Sequence, residues 1–218
     1  MADKPVTCAV VTGSHPFDVP NFHKLFRSLD GVDATIQHMD DFATSPEEVR
    51  DSYDAVLFYH MIMPLPVDGD NWGSGQPASA QQRLGQTGQG VVVLHHSILA
   101  YPEWDVWTDL TGLADRAFDF HPNQQLTIDV ANADHPITQG LSEWQMGDET
   151  YTMAGPVGDN DMLLTTEHEK CMKSIAWTRQ CGKARVFCFQ SGHDNVTWAD
   201  ANYREVLRRG ILWSAGKL

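Results

Sequence analysis

The sequence predicts an α/β protein, with a mostly parallel sheet flanked by helices and some antiparallel strands at the edges. Three observations carry this. Asp54-Ala-Val-Leu-Phe-Tyr59 and Gly90-Val-Val-Val-Leu94 are continuous apolar runs, the pattern of parallel strands buried on both faces. Between such runs lie segments of helical periodicity: Phe22, Leu25, Phe26 and Leu29 recur behind Asp18 and Pro20, a helix start with proline in the first turn. Gln125-Leu-Thr-Ile-Asp-Val130 instead alternates apolar and polar residues, as an antiparallel or edge strand does.

The remaining elements follow in order. Thr7–Thr12 is a short apolar strand that breaks at Gly13-Ser-His-Pro16, a turn carrying His15. Asp33–Met39 alternates and reads as an outer strand. Ser45-Pro-Glu-Glu48 has the form of a capping box opening a short helix through Val49 and Tyr53. Met61–Gln76, rich in Pro, Gly and Asp, is the longest irregular stretch, and loops of that length are usually functional or mobile. A helix is expected within Pro77–Thr87, and another within Pro102–Leu110 with Trp104 and Trp107 turned inward. His135, held extended by the following proline, is expected to be structural. Strands are expected at Glu143–Met153, Asp161–Thr166, Lys173–Thr178 and Lys183–Gln190, with a charged turn at Glu167–Lys170. Thr197-x-x-Asp200 caps a last helix whose inner face is Tyr203, Val206, Leu207, Gly210 and Ile211, and Gly216 ends it. Without an internal repeat or a linker, residues 1–218 read as one domain.

Composition narrows the function classes. A hydrophobic content of 42% supports a packed core, and no apolar run approaches the roughly 18 residues that span a bilayer. The formal net charge of −14 argues against a nucleic-acid partner, because phosphate backbones attract basic faces. The first residues lack the basic and apolar pattern of a signal peptide, which makes the cytoplasm the default location. The four cysteines contain no Cys-x-x-Cys pair, and a disulfide framework is not expected. Homo-oligomerisation is left open.

Ligands in open α/β sheets bind at the carboxyl ends of strands, so polar residues placed there are candidates. His60, His95, His96 and His193 follow apolar runs directly or nearly so, His15 follows the first strand, and Glu149 lies on a later one. Several imidazoles and a carboxylate on one sheet edge would suit zinc or a similar divalent metal, although no compact motif such as His-Glu-x-x-His is present.

A wider set of motifs carries a resemblance: Tyr59-His60, Val92-Val-Leu-His95, His135-Pro-Ile137, Gly147-Asp-Glu-Thr-Tyr151, the run Ala176–His193 and Gly210-Ile-Leu-Trp-Ser-Ala-Gly216. Together they resemble the trehalose-utilisation, ThuA-like family, from the first strand to the last helix, with Met61–Gln76 fitting least. The resemblance implies a flavodoxin-like fold of the class I glutamine amidotransferase type. In amidotransferases the strand-to-helix elbow after the central strand holds a nucleophilic cysteine. Here the elbow reads Leu94-His-His-Ser97 and no cysteine lies near it, so a thiolate glutaminase is excluded. Nor does a Gly-x-Ser-x-Gly pattern surround Ser97.

The resemblance further implies a role in carbohydrate metabolism and a divalent metal, zinc by preference, on His60, His95, Glu149 and His193. The chemistry expected is metal-assisted proton transfer on a keto-sugar or keto-glycoside: isomerisation, epimerisation or elimination. His95, Glu149 and His96 are the candidate catalytic groups, and His15, Tyr151 and Trp72 the candidate sugar contacts. The alternatives are a non-catalytic sugar-binding or regulatory protein on an amidotransferase-like scaffold, and an assembly component whose histidines are ordinary polar residues.

Overall fold

The computed structural model describes residues 4–69 and 75–218. Its strands are β1 (Val6–Gly13), β2 (Val32–His38), β3 (Ala55–His60), β4 (Gly90–Leu94), β5 (Asp119–Val130), β6 (Trp144–Thr152), β7 (Asp161–Thr165), β8 (Ser174–Cys181) and β9 (Ala184–Phe189). The helices are α1 (Val19–Arg27), α2 (Met39–Thr44), α3 (Glu47–Arg50), α4 (Pro77–Gln82), α5 (Asp105–Thr111), α6 (Asn195–Ala199) and α7 (Ala201–Ser214), with a 3-10 turn at His95–Leu99.

The strands form one sheet in the order β2-β1-β3-β4-β9-β8-β7-β5-β6. The expectation of a mostly parallel sheet needs correction, because the sheet is mixed. β2, β1, β3, β4 and β9 run parallel. From β9 through β8, β7 and β5 to β6 every pairing is antiparallel. The physical reason lies in the connections. Up to β4 a helix follows each strand and carries the chain back, as parallel pairing requires, whereas β8 and β9 are joined by a tight turn in which Gly182 adopts φ 56°.

Alternation along the parallel strands divides the core in two. Cys8, Val10, Leu57, Tyr59, Val92, Leu94, Phe187 and Phe189 face α1 and α7. Ala9, Val11, Val56, Phe58, Val91, Val93, Val186 and Cys188 face the side of α2, α4 and α5. α7 lies so close to the sheet that a Cβ on Gly210 would stand 2.2 Å from the Phe187 ring, and one on Gly90 would stand 2.4 Å from the Ser214 backbone. Gly210→Ala therefore overpacks a rigid aromatic contact. It is expected to lower stability by about 2–3 kcal/mol, read as a drop in the urea midpoint at unchanged m.

Two local signals resolve differently from the sequence reading. Ser45 does not open a capping box: its hydroxyl donates to the Asp41 carbonyl at the end of α2, a helix the sequence reading missed, and α3 starts without a side-chain cap. Likewise Asp194 caps α6 and Asp200 caps α7, which frees Thr197 for another role. His135 is structural as expected, with Nδ1 accepting from the Ile137 N–H and its ring against Trp213. The four cysteines are free thiols.

Candidate active site at the carboxyl edge

Strand β4 ends at Leu94 and the chain turns sharply: His95 takes φ 52°, a left-handed conformation that costs a non-glycine residue on the order of 1 kcal/mol. Ser97 braces the elbow, with its hydroxyl accepting from the His60 N–H at 2.5 Å and donating to the His60 carbonyl at 2.7 Å. That double engagement makes Ser97 a brace rather than a nucleophile. His95 itself is fully buried, and its Nδ1 lies 2.8 Å from the Gln190 carbonyl. A carbonyl can only accept, so Nδ1 carries a proton and Nε2 faces the cluster.

Around Nε2 gather three groups. Tyr151 Oη stands 2.8 Å away, His193 Nδ1 3.3 Å and Glu149 Oε1 3.7 Å. His193 Nδ1 and Glu149 Oε1 are 3.4 Å apart, and Tyr151 donates to Glu149 at 3.2 Å. His95, Glu149 and His193 form a group whose ligand atoms all lie within 4.8 Å of one another. The Glu149 side chain is 11% exposed and that of His193 30%, so the cluster opens outward at His193. Burial pushes the Glu149 carboxyl up. The His95 hydrogen bond and charge, then His193 and Tyr151, outweigh this and hold it below its ordinary value. Burial, reinforced by the charges of Glu149 and Asp148, drives the Tyr151 phenol well above its ordinary range and keeps it a proton donor.

His96, next in sequence, turns away from this trio and stacks on His15, with ring centroids 4.2 Å apart and planes 26° apart. His15 also meets His193 edge-on at 6.1 Å. Neither His96 ring nitrogen makes a hydrogen bond of ordinary geometry. Burial drives His96 well below the usual histidine range.

His60 departs from the sequence expectation, and the structure leaves it outside the ligand-spaced group. Its ring packs against Phe58, Tyr101 and Trp107 on the other face of the sheet. The cause is strand parity. Successive side chains on a strand point to opposite faces, so in Tyr59-His60 it is Tyr59 that faces the site. Tyr59 lies 4.3 Å from the His96 ring, and its hydroxyl donates to the Gly192 carbonyl at 3.1 Å. Trp72 lies outside the described residues, as does part of the Met61–Gln76 stretch.

Two residues the sequence reading passed over organise the His193 loop. Asp148 is buried and accepts from the Gly192 N–H at 2.9 Å, the His193 N–H at 3.1 Å, the Thr197 hydroxyl at 2.8 Å and the Glu149 N–H at 2.9 Å. Burial pushes its carboxyl above the ordinary aspartate value, against the pull of His95 and of these hydrogen bonds. Gly192 takes φ 136°, and a Cβ there would stand 2.7 Å from the Tyr203 hydroxyl, so no other residue fits. The available signal was the adjacency of two carboxylates in Gly147-Asp-Glu-Thr-Tyr151; the sequence alone did not say which faced inward. In Asp148→Asn the amide turns a donor toward these N–H groups. The expected result is a loss of about 2 kcal/mol in urea unfolding and faster hydrogen exchange at the Gly192 and His193 amides.

The architecture is an α/β fold with a mixed sheet whose carboxyl edge is lined by histidines. The trehalose-utilisation (ThuA) family model matches residues 9–214, and the chain belongs to that family. A search of curated proteins finds no significant match. Among solved structures, a ThuA-like protein from Parabacteroides merdae is similar, with a TM-score of 0.75 and 19% identity, covering 99% of this chain and 92% of that one. A cytoplasmic protein from Salmonella typhimurium has a TM-score of 0.67 and 12% identity, over 94% of this chain and 98% of the other. A glutamine amidotransferase from Thermotoga maritima has a TM-score of 0.53 and 7% identity, over 96% and 98%. These likenesses establish the fold. Among the described residues, no helix is long and apolar enough to cross a membrane.

Proposed function

We propose that this protein acts in the cytoplasm on a keto-sugar or keto-glycoside by proton transfer next to its carbonyl, with a divalent metal of the zinc type held by His95, Glu149 and His193. The family's link to trehalose utilisation supports a carbohydrate-related role. The observation that carries the metal assignment is a set of distances. Ligand bonds of about 2.0–2.2 Å in a tetrahedron set ligand atoms roughly 3.3–3.6 Å apart. The three separations here are 3.3, 3.4 and 3.7 Å. A second feature agrees, since the remaining nitrogen of a ligating histidine typically donates to a carbonyl, as His95 Nδ1 does to Gln190.

A metal so held supplies Lewis-acid polarisation of the substrate carbonyl, which acidifies the adjacent C–H. The chain supplies the rest. Tyr151, kept protonated, can donate a hydrogen bond to the oxygen that gains charge during enolisation. Glu149, kept ionised, is the group placed to take or return a proton. His15, half-buried and backed by the buried His96 ring, is the imidazole best placed to meet a sugar face.

The test is proton exchange. Incubated in deuterated water with a panel of keto-sugars, the metal-replete protein is expected to incorporate deuterium next to the carbonyl, seen as loss of the proton NMR signal. Binding without exchange or product across the panel would make this a sugar-binding protein instead. Absence of stoichiometric metal, with ligand binding unchanged after chelation, would remove the metal from the proposal.

A further inference from the structure

A second concave site lies away from the histidine cluster. Between α1 on one side and α6 with the start of α7 on the other is a cavity of about 380 Å³, bordered by Asn21, Lys24, Ser28, Asn195, Trp198 and Arg204. That size is within the range of small-molecule sites. Its charge is unusual for a chain of net charge −14, because both ionic side chains on its wall are cations.

Neither cation spends its charge on a carboxylate bond. Lys24 Nζ donates to the Asn21 amide oxygen at 3.0 Å, and Arg204 Nη2 donates to the Ala199 carbonyl at 3.2 Å. Asp18 feels the Lys24 charge but spends its hydrogen bonds on the Asn21 N–H and amide and on the Asn195 amide. The contrast is one turn further along α7, where Arg208 and Arg209 both pair with Glu205. Lys24 and Arg204 thus bring two cations, neither in a carboxylate ion pair, from two different helices to one cavity.

We propose that this cavity binds a small oxyanion, a phosphate monoester or a carboxylate, between Lys24 and Arg204. Two cations from different helices suit an anion with several acceptor oxygens, and bonds from them to an anionic oxygen are stronger than the bonds to neutral acceptors they make now. The site is wired to the histidine cluster: the indole of Trp198 donates to the Gly192 carbonyl at 2.8 Å, and His193 is the next residue. Occupancy that draws α1 toward α7 therefore acts on the loop carrying His193.

Inorganic phosphate is the first probe, titrated into the 15N-labelled protein at constant ionic strength with chloride as the control. The expected result is saturable amide shifts in 21–28 and 195–204, with smaller ones at Gly192 and His193. Lys24→Gln and Arg204→Gln should each weaken the apparent affinity at least fivefold, and the double variant should abolish saturation. Acetate is titrated in parallel: saturation by phosphate alone assigns the site to phosphate monoesters, and saturation by acetate alone assigns it to carboxylates. Shifts no larger than those from chloride, or shifts centred on Glu149 and Tyr151 that persist in the double variant, would overturn the proposal.

Discussion

Glu149→Gln is expected to lower divalent-metal affinity by more than about a hundredfold and to abolish substrate proton exchange. Outer-shell changes at metal sites already cost roughly 10–100-fold, and this substitution alters a residue proposed as a direct ligand. The change is nearly isosteric. It removes the negative charge facing His95 and His193 but keeps the side chain's volume between them and Tyr151. Metal analysis of the purified variant, with circular dichroism to show an intact fold, makes the measurement. His60→Ala is the contrasting case. Because His60 sits among Phe58, Tyr101 and Trp107, that variant should keep its metal while losing stability. Equal metal content in wild type and Glu149→Gln would refute the ligand assignment.

Mild acid is expected to destabilise the protein steeply, with His60 as a main cause. Complete burial, with a smaller contribution from His38, lowers the His60 pKa from 6.5 to about 3. The folded protein therefore holds this imidazole neutral while the unfolded chain protonates it. Stability is fully present above the unfolded value near 6.5 and is lost as pH falls toward 3. A full proton per pH unit in that window costs on the order of 1 kcal/mol, so roughly 3 kcal/mol is gone by pH 4.5 from this residue alone. His96, also lowered by burial, adds to the same trend. Urea unfolding at pH 7 and at pH 5 measures the slope. In His60→Gln the protein should be less stable at pH 7 yet show a shallower pH dependence, by close to one proton. An unchanged slope would mean that His60 takes up its proton in the folded state.

What the sequence disclosed follows from the kind of signal each region carries. The parallel half was legible because β3 and β4 are continuous apolar runs, β3 closing on His60 and β4 followed at once by His95. The antiparallel half was read as separate strands but not as half of the sheet, because pairing between distant strands leaves little local trace. Within the site, His95, Glu149, His193 and Tyr151 could be picked out from strand ends and family motifs, and the structure gathers them. His60 went astray by one residue of strand parity, which no pattern at the end of an all-apolar strand can fix. Asp148 was passed over because its role depends on the N–H groups of a loop more than forty residues away.

The sheet order places β6 at the far edge, four strands beyond β9, yet Glu149 and Tyr151 on β6 reach His95 beside β4. The antiparallel half must therefore curl over the carboxyl end of the parallel half before the cluster exists. Closures between such distant segments form late, since the chain loses entropy before the contacts reward it. The site is thus a record of completed folding: a molecule with all its strands but an uncurled sheet would have every required side chain and no place where they meet.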